Sequence, residues 1–237
     1  METVLHTADS RGHANHGWLD SHHSFSFAGY FNPDRMNFGV LRVLNDDIVS
    51  PSMGFGTHGH QNMEIVSIPL EGDLKHKDDT GREAIIKEGD IQVMSAGTGI
   101  QHSEFNYSNE NPVNFLQIWI IPNQQNVTPR YDQISIDPSS TKNKFQQILS
   151  PNKEDDGVWI YQEAWFHLGE FDADTTVAYT LRNKNNGVYL FLLEGQVNIG
   201  DLSLSRRDAV GITKTHEVQI RVKESSKLLI MEIPVNV

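Results

Sequence analysis

The sequence predicts an all-β protein built as two tandem barrels. Three observations lead there. Short β-branched and aromatic runs recur between turn-forming residues along the whole chain. No long stripe of helical period interrupts them. The chain also repeats itself. Ile68-Pro-Leu-Glu-Gly-Asp73 is echoed by Phe191-Leu-Leu-Glu-Gly-Gln196, and Lys87-Glu-Gly-Asp-Ile-Gln-Val-Met94 by Ser205-Arg-Arg-Asp-Ala-Val-Gly-Ile212, in the same order. A duplicated unit leaves such a trace.

In chain order, the first half offers strand runs at 39–44, 64–70, 82–87, 91–94 and 113–121. The second offers 176–181, 188–193, 218–222 and 227–233. Between them stand Glu71-Gly72-Asp73, Asp79-Thr80-Gly81, Glu88-Gly89-Asp90, Asn185-Asn186-Gly187 and Glu194-Gly195. Gly and Asn tolerate the positive φ that tight hairpins need. The stretch 143–149 is open between a short helix and a strand. The boundary is expected in the Pro/Asn/Gln-rich segment 122–140, dividing the chain into 1–130 and 131–237. Each half would form a small antiparallel barrel or a double-sheet jelly roll.

Composition narrows the class. The chain has 237 residues, 38% hydrophobic and 21% charged, enough for a sizeable core without staples. It contains no cysteine, which excludes disulfides, thiolate metal sites and cysteine nucleophiles. A net charge of -12 repels phosphate backbones, so no nucleic-acid partner is expected. The first residues are polar and lack a signal-type apolar core, and the longest apolar runs are far too short to span a membrane. A cytoplasmic monomer is the expectation. No phosphate-binding Gly pattern or nucleophile elbow occurs.

One constellation carries chemistry. His58 and His60 lie two apart, and some forty residues later His102 and Glu104 do the same. In a strand, residues i and i+2 share a face, so each pair can aim two ligands into a barrel. Four ionisable groups there would be costly to desolvate. A divalent cation about 2.0–2.2 Å from each offsets that cost. Gly54, Gly56, Gly59, Gly97 and Gly99 leave room and allow bends.

The combination His-x-His-x3-Glu, a Leu-Glu-Gly turn and Gly-x2-His-x3-Asn resembles the two motifs of the cupin superfamily. Within it, three blocks narrow the resemblance to the pirin family. They are Arg11-Gly-His-Ala-Asn-His-Gly-Trp-Leu-Asp-Ser-His-His-Ser-Phe-Ser-Phe27, the stretch 31–46 from Phe31-Asn-Pro-Asp to Leu-Asn-Asp46, and Gly89-Asp-Ile-Gln-Val-Met-Ser-Ala-Gly-Thr-Gly-Ile-Gln-His-Ser-Glu104. The match covers most of 10–122. It implies a bicupin whose N-terminal cupin binds metal through His58, His60, His102 and Glu104, and whose C-terminal cupin lacks ligands. In many cupins the acid comes from the first motif, which would be Glu64. The alternative roles of Glu64 are an imidazole's hydrogen-bond partner or a surface acid. The resemblance favours Fe(II), while the donor set also suits Mn, Co, Ni, Cu or Zn.

It also implies an activity: a quercetin 2,3-dioxygenase that opens a flavonol with O2 and releases carbon monoxide, with Glu104 placed to accept the substrate proton or to hydrogen-bond the substrate oxygen. The other implied role is a regulatory module that binds a protein partner and responds to the metal's oxidation state. A different enol or sugar chemistry is a third. His13, His16, His22 and His23 form a second histidine-rich stretch, but their spacing gives no clear strand or helix chelate. Hydrogen-bonded structural roles or a lining of the barrel mouth are expected. His22, His23, Phe25 and Phe27 are candidates for the entrance, and Phe38, Met53, Phe55 and Phe115 for a pocket wall or ordinary core. Trp18, Trp119, Trp159 and Trp165 are expected to pack, and His167 and His216 to be surface or structural.

Overall fold

Every expected run is realised as a strand, because apolar side chains at period two need two covered faces or one. The computed structural model describes residues 1–236. Its strands are β1 (Glu2–His6), β2 (Gly12–Asn15), β3 (Leu19–His23), β4 (Leu41–Val49), β5 (Gly54–His60), β6 (Glu64–Glu71), β7 (Leu74–Asp78), β8 (Glu83–Ile86), β9 (Asp90–Ser95), β10 (Ile100–Asn106) and β11 (Val113–Ile120). They continue with β12 (Arg130–Ser135), β13 (Phe145–Ser150), β14 (Val158–Trp159), β15 (Trp165–Phe171), β16 (Thr176–Thr180), β17 (Asn186–Glu194), β18 (Gln196–Ile199), β19 (Leu202–Ser205), β20 (Ala209–Thr213), β21 (Glu217–Val222) and β22 (Ser226–Pro234). The only helical turns among the described residues are 3-10 (Ala8–Ser10 and Pro138–Ser140). None is long or apolar enough to cross a membrane. The open stretch 143–149 is therefore β13.

Each barrel pairs a seven-stranded sheet with a four-stranded one. In the first, β12-β9-β6-β11-β4-β3-β2 faces β5-β10-β7-β8. In the second, β1-β20-β17-β22-β15-β13-β14 faces β16-β21-β18-β19. Sheet membership does not follow chain order. β1 extends the second barrel through Val4 opposite Gly211, and β12 extends the first through Asp132 opposite Val93. One apolar cluster joins the two large sheets back to back, with Leu41, Val66, Val93 and Ile118 meeting Phe166, Tyr189, Phe191 and Met231. Strand β17 is correspondingly a largely apolar run covered on both faces, and β9 is buried along its whole length although it carries Asp90, Gln92 and Ser95.

The barrel interiors differ. The second is filled by an apolar cluster that includes Leu190, Val210, Ile220 and Ile230. The first has apolar clusters at its two ends, around Leu74 and Phe115 and around Ile65 and Met94. Between them a polar row crosses its large sheet. Strand register aligns Gln92, Ser67, Gln117, Asn45 and His23 on five adjacent strands. All five are buried, and a buried polar row needs something polar to face.

Candidate metal centre

What faces the row is the inner surface of β5, β10 and β7. Residues two apart on a strand share a face, and the register adds the cross-strand neighbours. His102 stands opposite both His58 and Asp78, and Glu104 stands opposite His76. A register shift between His102 and Glu104 turns the strand at this point. Gly54 permits the close approach: a Cβ there would lie 2.3 Å from the Glu104 carbonyl oxygen.

The three imidazoles that the sequence singled out come together. Ring centroids are 4.5 Å apart for His58 and His102, 4.8 Å for His58 and His60, and 4.9 Å for His60 and His102. One nitrogen from each lies within 4.8 Å of the others. His58 Nδ1 is 2.8 Å from the Gly56 carbonyl. A carbonyl only accepts, so Nδ1–H is the donor here, and Nε2 is the nitrogen left for a metal. Both nitrogens of buried His102 lack any hydrogen-bond partner. Burial, reinforced by the neighbouring imidazoles, pushes His60 down to about 4 and His102 down to about 3. Both are therefore neutral near pH 7, the form that ligates metal.

Glu104 is buried on the same wall, and one of its oxygens lies within 4.8 Å of ring nitrogens of His76 and His102. Its Oε1 accepts from Ser67 Oγ at 2.9 Å and its Oε2 from Gln117 Nε2 at 2.8 Å. A carboxylate offers about four lone-pair positions, so two remain. Glu64 lies elsewhere. Its carboxylate accepts from Ser95 Oγ at 2.7 Å, and burial, opposed in part by that bond and by Arg130, raises it to about 7. Three residues separate it from inward-facing Ser67, so strand alternation turns it to the opposite face.

Several residues escaped the sequence reading. His76 is buried against His102, with rings 5.4 Å apart, and its Nε2 is 2.8 Å from Asp78 Oδ2. Asp78 Oδ1 is in turn held by Thr80 Oγ1 at 2.6 Å, which fixes the imidazole. The signal was present in Leu74–Asp78, where His76 and Asp78 take the inward parity. Trp119 packs edge-on against His60 at 4.8 Å, and its buried Nε1 lacks a partner. Asp47, which accepts from Ser21 Oγ, is raised to about 7 by burial and by the nearby Asp46 and Glu104 carboxylates, against the Ser21 bond.

His58, His60, His102, Glu104, Asp47, Gln117 and Trp119 line a small cavity of about 60 Å³ with Phe27, Asn45 and Phe55. It shares Phe27, Asn45, Asp47 and Phe55 with a vestibule of about 450 Å³, walled further by Ser21, His23 and Tyr30. Of the residues expected at the entrance, His23 and Phe27 are there. Phe25 is instead core against Tyr189, at 5.5 Å. Phe55 forms pocket wall, with Phe115 buried behind it. Phe38 packs on Tyr189, and Met53 is exposed. In the second barrel His167 is buried beside Tyr179, and His216 is exposed.

The residues present fit a transition metal. His58, His60 and His102 bring their ring nitrogens together, Glu104 lies beside His102 on the same wall, and buried His102 has no other partner for its nitrogens. Two stacked jelly-roll barrels, one filled and one holding such a cluster, define a bicupin. Residues 4–120 match the family model described as Pirin, and 147–233 the one described as Quercetinase C-terminal cupin domain. The chain belongs to the pirin family. Quercetin 2,3-dioxygenase of Escherichia coli (strain K12) is 38% identical over 230 residues, which cover 97% of this chain and 98% of that protein. A pirin-like protein of Caulobacter vibrioides is 35% identical over 225 residues, 94% of this chain and 96% of that protein. The crystal structure of the bacterial pirin YhhW from Escherichia coli in complex with nickel(II) superposes with a TM-score of 0.93 at 36% identity, covering 98% of this chain and 99% of that chain.

Proposed function

We propose that this protein is a metal-dependent dioxygenase that cleaves a flavonol such as quercetin with O2 and releases carbon monoxide. His58, His60, His102 and Glu104 would hold one divalent ion, with Fe(II) the first candidate and Mn, Co, Ni, Cu or Zn compatible with the same donors. The related bacterial pirin YhhW is known in complex with nickel(II), which supports metal binding by a chain of this fold. The bound ion would supply Lewis acidity for the substrate hydroxyl and the redox chemistry with O2. The observation that carries the reading is the pairing of unpartnered His102 with an aromatic-walled cavity opening into the vestibule.

The chain's own groups have distinct work in this reading. The inner cavity is too small for a flavonol, whereas the vestibule falls within the ~300–1,000 Å³ typical of small-molecule sites. Phe27, Phe55 and Trp119 offer ring faces and edges to a planar substrate. Trp119 Nε1–H can donate to a substrate oxygen. Glu104 would accept the 3-hydroxyl proton through a lone pair that Ser67 and Gln117 do not use. Their two hydrogen bonds keep the carboxylate aimed while the proton moves.

Metal-free protein loaded in turn with Fe(II), Mn(II), Co(II), Ni(II) or Cu(II) should bleach quercetin's absorbance aerobically and evolve carbon monoxide with at least one ion. Failure with all of them would discard the dioxygenase and leave the partner-binding module.

A further inference from the structure

The histidine-rich N-terminal stretch becomes informative once its strands are paired. In the β2–β3 hairpin His13 stands directly opposite His22. Their rings stack at 4.5 Å with an interplanar angle of 17°. Asp20 precedes His22 by two residues and so projects from the same face of β3. His13 Nε2 lies 2.8 Å from Asp20 Oδ1, and His22 Nδ1 lies 3.7 Å from the same oxygen. One ligand atom from each residue falls within 4.8 Å of the other two. A tetrahedral ion with bonds of 2.0–2.1 Å holds its ligands roughly 3.3 Å apart, and the two measured separations bracket that value. Asn15 Nδ2 holds the other Asp20 oxygen at 3.3 Å, which leaves Oδ1 turned to the histidines. Arg11, the nearby cation, has its charge taken up by Asp46 at 3.3 Å.

We propose that His13, Asp20 and His22 form a second metal site, on the surface, that takes a borderline divalent ion such as Zn(II) with water in the remaining position. Two imidazoles and one carboxylate are the donor set such ions prefer, and hard Mg(II) or Ca(II) would select oxygen ligands instead. The site is separate from the barrel centre and does not depend on the dioxygenase reading. It cross-links two strands that wall the vestibule, through Ser21 and His23 and through His13 itself.

The test is a Zn(II) titration of the metal-free full-length chain, with bound metal counted after equilibrium dialysis. The unmodified protein should hold two equivalents. The His13→Ala/His22→Ala double variant should hold one, and the His58→Ala/His60→Ala variant should keep the surface ion. Asp20→Asn preserves shape and should weaken the surface ion on the order of tenfold or more, since even the outer partners of metal ligands are worth 10–100-fold. Circular dichroism checks that each variant keeps its strands. If the His13→Ala/His22→Ala and Asp20→Asn proteins bind as many equivalents as the unmodified chain, with the same affinity, the surface site is refuted whatever happens at the barrel centre.

Discussion

At the scale of single residues, the candidate centre is held in shape by side chains outside its four proposed ligands. Gln117 Nε2 and Ser67 Oγ occupy one lone pair on each Glu104 oxygen. Gln117→Met keeps the volume and removes the donor. The barrel-centre ion should then bind about 10–100-fold more weakly, which competition against a chromophoric chelator measures, with the fold unchanged by circular dichroism. His167 in the second barrel gives a contrasting case. Burial, aided by Arg182, lowers it to about 4 from an ordinary 6.5. Between those values the unfolded chain binds the extra proton, so stability falls as pH drops from 6.5 through 4 and levels off below. The shift corresponds to on the order of 3 kcal/mol at most. Denaturant titrations at pH 7 and pH 4.5 should show this loss, and His167→Gln, which retains a partner for Tyr179, should lose less.

At the scale of elements, the difference between what was legible and what was not follows the direction of the contact. His58 with His60, and His102 with Glu104, are pairs along one strand, and period-two alternation exposes them in the sequence. His76 joins the cluster across strands, through its register with Glu104; the alternation of β7 marks it as inward, but nothing local says which strand it meets. His13 and His22 are nine positions apart and meet only through hairpin pairing. Asn45 and Asp47 were lost for another reason. The run Asn45-Asp46-Asp47 looks like the end of a strand, yet β4 continues to Val49 because His23 and Gln117 flank Asn45 in a polar row. Likewise the expected turn at Asn185-Asn186-Gly187 lies slightly earlier, closed by Asn186 N–H donating to Asn183 O at 2.9 Å. The β5–β10 ladder makes a direct prediction. A Cβ on Gly54 would meet Glu104 O at 2.3 Å and Phe105 Cα at 2.5 Å, backbone atoms that cannot swing aside. Gly54→Ala should cost about 1–3 kcal/mol of stability and weaken the central ion. Gly56→Ala, whose Cβ meets nothing within 4 Å, should leave both unchanged. Equal effects of the two substitutions on melting and metal affinity would contradict the close-approach account.

At the scale of the whole molecule, the internal echo correctly indicated two similar barrels, but not how they interlock. Pairing of β1 with β20 and of β12 with β9 is long-range, and period-two alternation within a strand does not name its partner. The interlock also has an ionic component. One oxygen of Asp46 on β4 is paired with Arg207, whose Nε lies 3.0 Å away, and accepts from Arg11 Nη1 at 3.3 Å, while the other accepts from Asn114 Nδ2 at 2.8 Å. Arg207, from the second barrel, also donates to Leu193 O at 2.6 Å and Asn114 Oδ1 at 3.3 Å. These charged side chains are at most 10% exposed. Neutralising Asp46 would leave buried Arg11 without its carboxylate and Arg207 with only the more distant Glu194, 3.7 Å from its Nη1, and removing one partner of a buried ion pair typically costs about 3–5 kcal/mol. Arg206 and Glu194 form a pair 2.8 Å apart with both side chains more than half exposed, and exposed pairs are worth about 0–1 kcal/mol. Denaturant unfolding followed by tryptophan fluorescence should therefore separate Asp46→Asn, strongly destabilised, from Arg206→Ala, close to the parent. Because Asp46 and Asp47 are consecutive on one strand and point to opposite faces, the same substitution also tests whether the joint between the barrels steadies the cavity wall. If it does, Asp46→Asn should weaken the central ion even under conditions where the protein remains folded. Unchanged unfolding and unchanged metal affinity together would show that the apolar contact between the large sheets holds the barrels unaided.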